Sequence, residues 1–75
     1  MVLIRRKLDN CITYAFDLTL EEVKLGDKVT ELKDLIINDM NKTTAELIEV
    51  PSIPEDFVGG KYKYVNNQFE LNPEY

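Results

Sequence analysis

The stretch KYKYVNNQFEL, residues 61–71, predicts both a β-hairpin and its register. Asn66 and Asn67 separate two runs of β-forming residues, and asparagine tolerates positive φ better than other non-glycine residues. A type I′ turn at these asparagines fixes four cross-strand pairs, which are Val65–Gln68, Tyr64–Phe69, Lys63–Glu70 and Tyr62–Leu71. Four large apolar side chains then share one face: Tyr62, Tyr64, Phe69 and Leu71. We expect this face to be buried in the core or against a docked partner. A register slip of one residue would instead expose these side chains to water.

A second hairpin is predicted for residues 2–16. The segments VLIRRK, residues 2–7, and CITYAF, residues 11–16, flank the turn-forming sequence LDN. Bulky and small residues alternate along the second segment, so the bulky set is expected to face the core. The expected core-facing residues are Ile12, Tyr14 and Phe16, together with Val2 and Ile4. Residues 5–7, which are two arginines and a lysine, are expected to lie at a solvated strand end.

The spacing of the apolar residues changes in the middle of the chain. Apolar residues recur at helical spacing, and charged residues fill the other face. The apolar positions are Val29, Leu32, Leu35, Ile36 and Met40. With Asp27 able to cap the first turn, the pattern predicts an amphipathic helix over about residues 28–40. The alternative is a strand at LKDLIIN, residues 32–38, because two adjacent isoleucines are β-branched.

Two further segments complete the predicted architecture. Residues 45–50, AELIEV, alternate as a strand that Pro51 ends, and residues 51–60 form a connector with a Gly-Gly hinge. Thr19 and Glu22 fit a capping box that Gly26 would end within two turns, so this piece is either a short helix or a strand end with a loop. We therefore expect a single α+β domain over residues 1–75. Its antiparallel sheet would consist of two hairpins and a middle strand, covered by one helix.

Composition excludes several chemistries. The chain has 75 residues, no histidine and one cysteine, Cys11, so it has neither the commonest general base nor a disulfide. No carboxylate pair follows a calcium-loop pattern, and the double glycine lacks the spacing of a phosphate loop. We therefore expect no catalytic site, no metal site and no cofactor, and an inert Cys11. No apolar run approaches the length of a membrane span, and the N-terminal residues do not fit a signal peptide.

Charge is distributed unevenly around a net value of −5. Residues 17–56 contain 11 acidic residues and 4 lysines, whereas residues 57–75 are balanced. Nucleic-acid binding requires a basic surface, so no direct contact with nucleic acid is expected.

The segments VLIRRKLDNCITYAF, residues 2–16, and PEDFVGGKYKYVNNQFELNPEY, residues 54–75, resemble short, uncharacterised proteins encoded by tailed bacteriophages. Such proteins pair a strand-rich start with a finish of glycine, alternating aromatics, a turn and Asn-Pro, and some are encoded among tail and fibre genes. The resemblance covers about half the chain, and residues 17–44 fall outside it. It supplies no catalytic residues. It implies a virion accessory or attachment-related protein, located in the virion or in the host cytoplasm during infection.

Protein–protein contact is the expected mode of action. A small domain without disulfide or metal gains stability from a partner, and neither CITYAF nor VLIRR carries a proline to protect its strand edge. We expect partners among virion proteins or copies of the same chain, with contact residues Phe16, Phe57 and Tyr75. The alternative is an acidic, phage-encoded binding module that inhibits a host protein.

Overall fold

The computed structural model describes residues 1–75 and consists almost entirely of short antiparallel strands. Eight strands and one 3₁₀ turn follow one another along the chain. They are β1 (Val2–Arg6), β2 (Ile12–Phe16), the 3₁₀ turn (Leu20–Glu22), β3 (Lys24–Leu25), β4 (Thr30–Glu31), β5 (Ile36–Ile37), β6 (Ala45–Glu49), β7 (Tyr62–Val65) and β8 (Gln68–Leu71). The expected α+β class is therefore wrong, because no element is an α-helix. None of its helical structure is long and apolar enough to span a bilayer.

The central sheet has the strand order β2-β1-β6, with both neighbours antiparallel to β1. Both the predicted hairpin over residues 2–16 and the predicted strand at residues 45–50 are confirmed. Three consecutive residues of β1, Val2, Leu3 and Ile4, have no solvent exposure. A run of apolar residues without alternation is typical of a strand that is covered on both faces. The sheet accordingly has a separate apolar cluster on each side.

A β-bulge in β2 decides which side chains reach each cluster. Ile4 pairs with Tyr14, but Arg5 pairs with Ile12, so Thr13 is left without a partner. Because of this extra residue, Ile12 packs with Leu3 on one face, whereas Tyr14 and its neighbour Phe16 pack against Ile4 on the other. The expectation that Ile12, Tyr14 and Phe16 share a face is therefore wrong.

The middle segment covers the Ile4 face as a small sheet of order β3-β4-β5, not as a helix. The predicted helix over residues 28–40 is therefore wrong. Leu35 and Ile36, assigned to its buried stripe, are 52% and 59% exposed, whereas Ile37 and Met40 are buried beside Ile4. Two turns and several β-branched residues favour short strands over a continuous helix. The Asp27 side chain does not cap a helix but pairs with Lys42 at 2.5 Å.

Thr30 is the one buried polar residue of this segment, and its side chain joins β4 to the residues that follow β5. Its hydroxyl donates to the main-chain oxygen of Met40 at 2.9 Å. The alternative of a strand within residues 32–38 is closer to the structure, since β5 lies inside that range. The capping-box sequence at Thr19 forms only the single 3₁₀ turn, in which Glu22 accepts from the Thr19 amide at 3.0 Å.

The C-terminal hairpin, β7-β8, covers the opposite, Leu3 face. All four predicted pairs are confirmed, and Asn66 and Asn67 have φ of 53° and 63°, as a type I′ turn requires. Tyr62, Tyr64 and Phe69 pack on the cluster that contains Leu3, Ile12 and Val50. The fourth residue of the predicted face, Leu71, is instead 64% exposed, because it lies beyond the edge of this cluster.

Main-chain bonds near the bulge attach β7 to the turn before β2 and attach the connector to β2 itself. Tyr64 N–H donates to Asn10 O at 3.0 Å, and Gly60 N–H donates to Ile12 O at 2.9 Å. The connector must pass very close to β2, since a Cβ on Gly59 would lie 2.6 Å from Thr13 O. Glycine is therefore required at the predicted Gly-Gly hinge by a close approach of backbones.

Candidate interaction site

The three predicted contact residues do not form one site. Phe16 lies at the end of β2 and stacks on Tyr14, with ring centroids 6.0 Å apart, on the Ile4 face of the central sheet. Phe57 packs on the opposite, Leu3 face. Tyr75 is 66% exposed near the base of the C-terminal hairpin, where its amide donates to Asn72 O at 3.1 Å. Phe57 and Tyr75 therefore belong with the hairpin, and Phe16 is separated from them by the sheet.

Phe57 is held in place by a polar cluster on the connector. Its ring stacks on Tyr62 with centroids 6.4 Å apart. Asp56 accepts a 2.7 Å hydrogen bond from the Tyr62 hydroxyl and a 2.8 Å ion-pair contact from Lys61. The Lys61 ammonium lies 5.9 Å from the centre of the Tyr62 ring. The connector is thereby fixed against β7 although most of these polar groups face water.

These contacts change the acidity of all three groups. The hydrogen bond from Lys61, with that from Tyr62, lowers the pKa of Asp56. The Asp56 carboxylate in turn raises the pKa of Lys61 and the pKa of Tyr62. The shifts all favour the protonation states of neutral pH, at which Asp56 and Lys61 are charged and Tyr62 is neutral.

Arg5 has a role that the sequence reasoning missed. The prediction placed it at a solvated strand end, yet its Nη1 donates to Tyr64 O at 2.7 Å and its Nε donates to Glu46 Oε1 at 3.0 Å. A charged side chain that alternates with Leu3 points to the Leu3 face, and this was the available signal. Its neighbour Arg6 behaves as predicted, forming an exposed pair with Asp9.

β8 presents an open edge, which is the clearest interaction feature of the molecule. The bond from Asn72 N–H to Lys61 O, 2.8 Å, fixes which residues of the hairpin bond to each other. By alternation, Glu70 faces β7, and the N–H and C=O groups of Phe69 and Leu71 point outward. They have no main-chain partner. The exposed side chain of Leu71 lies at the same edge.

The outer edges of β6 and β2 are less accessible. The outer edge of β6 lies beside β3 and the 3₁₀ turn. On β2 the carbonyl of Thr13 is covered by Gly59, which leaves Ala15 as the outward-pointing strand residue. The unprotected edge expected in residues 11–16 therefore exists, but the connector and β7 shorten it.

A shallow cavity of about 300 Å³ lies where β2 meets the connector. Its lining residues are Arg6, Cys11, Thr13, Tyr14, Asp39, Gly59 and Gly60. Cys11 is buried, and burial, with a hydrogen bond to Asp9, raises the pKa of its thiol. A raised pKa keeps the sulfur protonated and weakly nucleophilic. Asn72 Nδ2 lies 3.4 Å from this sulfur, which further restricts its access.

The structure brings together no group of three or more side chains that could hold a metal ion. No buried side-chain nitrogen or oxygen lacks a hydrogen-bond partner. The arrangement can offer main-chain edges and aromatic contacts to another chain.

The chain matches no protein-family model, no curated protein and no solved structure. The resemblance to bacteriophage proteins therefore stays a prediction from the sequence.

Proposed function

We propose that this protein is a non-enzymatic accessory or structural component of a tailed-bacteriophage particle, acting through protein–protein contacts. The observation that carries the proposal is the open edge of β8, with Leu71 exposed beside it. An unprotected strand edge binds another strand, and natural monomers usually block such edges with lysine, proline or a bulge. β8 has no lysine, no proline and no bulge, and its one charged residue is Glu70. The bacteriophage context is supplied by the resemblance of residues 2–16 and 54–75.

Mass spectrometry of purified particles of the encoding phage tests this function. The chain is expected in particles purified through a density gradient, at a fixed copy number relative to the tail proteins. A variant in which Leu71 is replaced by proline serves as the matched control, because it blocks an outward N–H of β8 and is expected to reduce incorporation. Absence of the wild-type chain from particles would exclude the virion role.

A second function is favoured by the charge of residues 17–56, whose acidic side chains are mostly exposed. The protein would then be an acidic module that covers a basic site on a host protein. Ionic strength separates the two functions. Affinity between charged surfaces falls as salt is added, whereas strand pairing and apolar contact change little. Capture of a host protein that is released by moderate salt would favour the inhibitor.

A further inference from the structure

We infer that two copies of this chain pair through β8, antiparallel and centred on Glu70. The inference rests on the proposed function for its class of activity, which is protein–protein contact, and adds the partner and the register. In this arrangement Phe69 of each copy lies opposite Leu71 of the other. The outward N–H and C=O groups of both residues are then satisfied, which gives four main-chain hydrogen bonds across the two-fold axis.

The register follows from the number of bonds that each alternative allows. Centring the pairing on Phe69 would place that residue opposite its own copy and Leu71 opposite Asn67. Asn67 belongs to the turn, with φ of 63°, so it does not extend a ladder. Centring the pairing on Leu71 would place Phe69 opposite Pro73, which has no N–H to donate. The Glu70-centred register alone uses only strand residues and all the outward groups.

The same register covers the exposed apolar surface at this edge. Leu71 is 64% exposed, and it lies on the same face of β8 as Phe69. Opposite residues on neighbouring strands have adjacent side chains, so the ring of Phe69 from the second copy lies against Leu71. The two-fold axis repeats this contact, and both leucines are covered.

The cost of this register is that the two Glu70 carboxylates face each other. Lys63 is opposite Glu70 within each hairpin, where its positive charge offsets part of this repulsion. Across the four strands of the two paired hairpins, these side chains form a row in the order lysine, glutamate, glutamate, lysine. Residues 57–75 carry no net charge, so the overall charge of −5 is located away from the pairing edge.

Light scattering at micromolar concentration, combined with a disulfide test, decides the inference. The wild-type chain is expected at twice the mass of one chain. Leu71→Pro removes an outward N–H without touching the β7 ladder, and it is expected to be monomeric. Ala15→Pro makes the same change at the edge of β2 and is expected to stay dimeric. A monomeric wild-type chain, or dissociation by Ala15→Pro alone, would overturn the assignment.

Cysteines introduced one at a time, beside the buried Cys11, test the register independently of folding defects. Opposite residues of a non-hydrogen-bonded antiparallel pair have Cα atoms about 4.5 Å apart, which suits a disulfide. Glu70→Cys is therefore expected to cross-link two copies under mild oxidation. Gln68→Cys lies on the same face of β8 but far from its own copy, and it is expected not to cross-link. Cross-linking of Gln68→Cys, or none at Glu70→Cys, would contradict the register.

Removing the like-charge contact should strengthen the dimer. Glu70→Gln is expected to lower the dissociation constant several-fold, and added salt is expected to tighten the wild-type dimer more than this variant. A weaker Glu70→Gln dimer would contradict the proposed register. The two proposals fail separately: a dimer that is absent from particles contradicts only the virion role, and a monomer that is found in particles contradicts only the self-pairing.

Discussion

The guanidinium of Arg5 donates a 2.7 Å hydrogen bond from Nη1 to the main-chain oxygen of Tyr64, 59 residues further along the chain. The same side chain pairs with Glu46. A single residue of the central strand therefore joins β1 to β6 and to the C-terminal hairpin. Because the side chain of Arg5 is only 20% exposed, water does not readily replace these bonds.

Replacing Arg5 by methionine is expected to lower the free energy of unfolding by about 1.5–3 kcal/mol, the usual effect of a lost charged hydrogen bond. Arg6→Met is the matched control. Arg6 is 46% exposed, and its pair with Asp9 should contribute no more than about 1 kcal/mol. Urea denaturation of the two variants measures the difference. Equal losses would show that the Arg5 contacts do not stabilise the folded state.

Replacing Thr30 by valine tests the bond that joins β4 to the residues that follow β5. The change keeps the shape of the side chain but leaves the Met40 carbonyl without its buried donor. We expect a loss of about 1–3 kcal/mol. Thr43→Val, at an exposed turn position, should change stability by less than about 0.5 kcal/mol. An effect of Thr30→Val as small as that of Thr43→Val would mean that this hydroxyl is solvated.

Replacing Tyr64 by alanine tests the packed face of the C-terminal hairpin. Its ring meets Phe69 edge-on at 5.0 Å and packs on the Leu3 cluster. The residue is half-buried, so we expect a loss of about 2–3 kcal/mol, below the effect of a fully buried ring. Thermal unfolding of Tyr75→Ala provides the comparison, since that exposed ring should contribute little. Comparable melting temperatures for both variants would indicate that the hairpin is not docked.

The Asp56 cluster is expected to make stability depend on pH at both extremes. The folded-state pKa of Asp56 is lowered, so its contribution is complete above the unfolded-state pKa and is lost as pH falls through the folded-state value. The pKa values of Lys61 and Tyr62 are raised in the folded state. Their contribution to stability is therefore complete below the unfolded-state pKa and is lost as pH rises through the folded-state values.

Asp56→Asn should therefore reduce stability most at neutral pH and least at either extreme. Urea titrations of the wild type and the variant across the pH range measure this difference. Glu55→Gln, an exposed neighbour, is the control and should give a smaller, flatter difference. A constant difference between the wild type and Asp56→Asn would contradict the assigned ion pair.

Local signals in the sequence were enough to predict the two hairpins, but they were not enough to predict the structure of the middle of the chain. Asn66 and Asn67 fix the register of β7 and β8 through their own conformation, so no distant contact was needed. Residues 28–40 carry apolar spacing that fits a helix and also fits two short strands joined by a turn. Packing against Ile4 selected the strands. The choice therefore depended on a surface that the segment itself does not contain.

The candidate site could be predicted only in part from the sequence, for a similar reason. Phe16 and Phe57 were both predicted as contact residues, but the bulge at Thr13 and the two-sided burial of β1 place them on opposite faces. The contacts of Arg5 join residues more than 40 positions apart, which no local pattern encodes. The open edge of β8 follows from strand order, which is also a property of the whole fold.

The central position of β1 has a consequence for biosynthesis. This strand is translated before both the strand that completes its sheet and the hairpin that covers its Leu3 face. Until β7 has been made, the Leu3 face of β1 has no covering layer, whereas the Ile4 face can already pack on Ile37 and Met40. The chain therefore cannot complete its fold until the C-terminal hairpin has been synthesised, and its Leu3 face is exposed to aggregation until then.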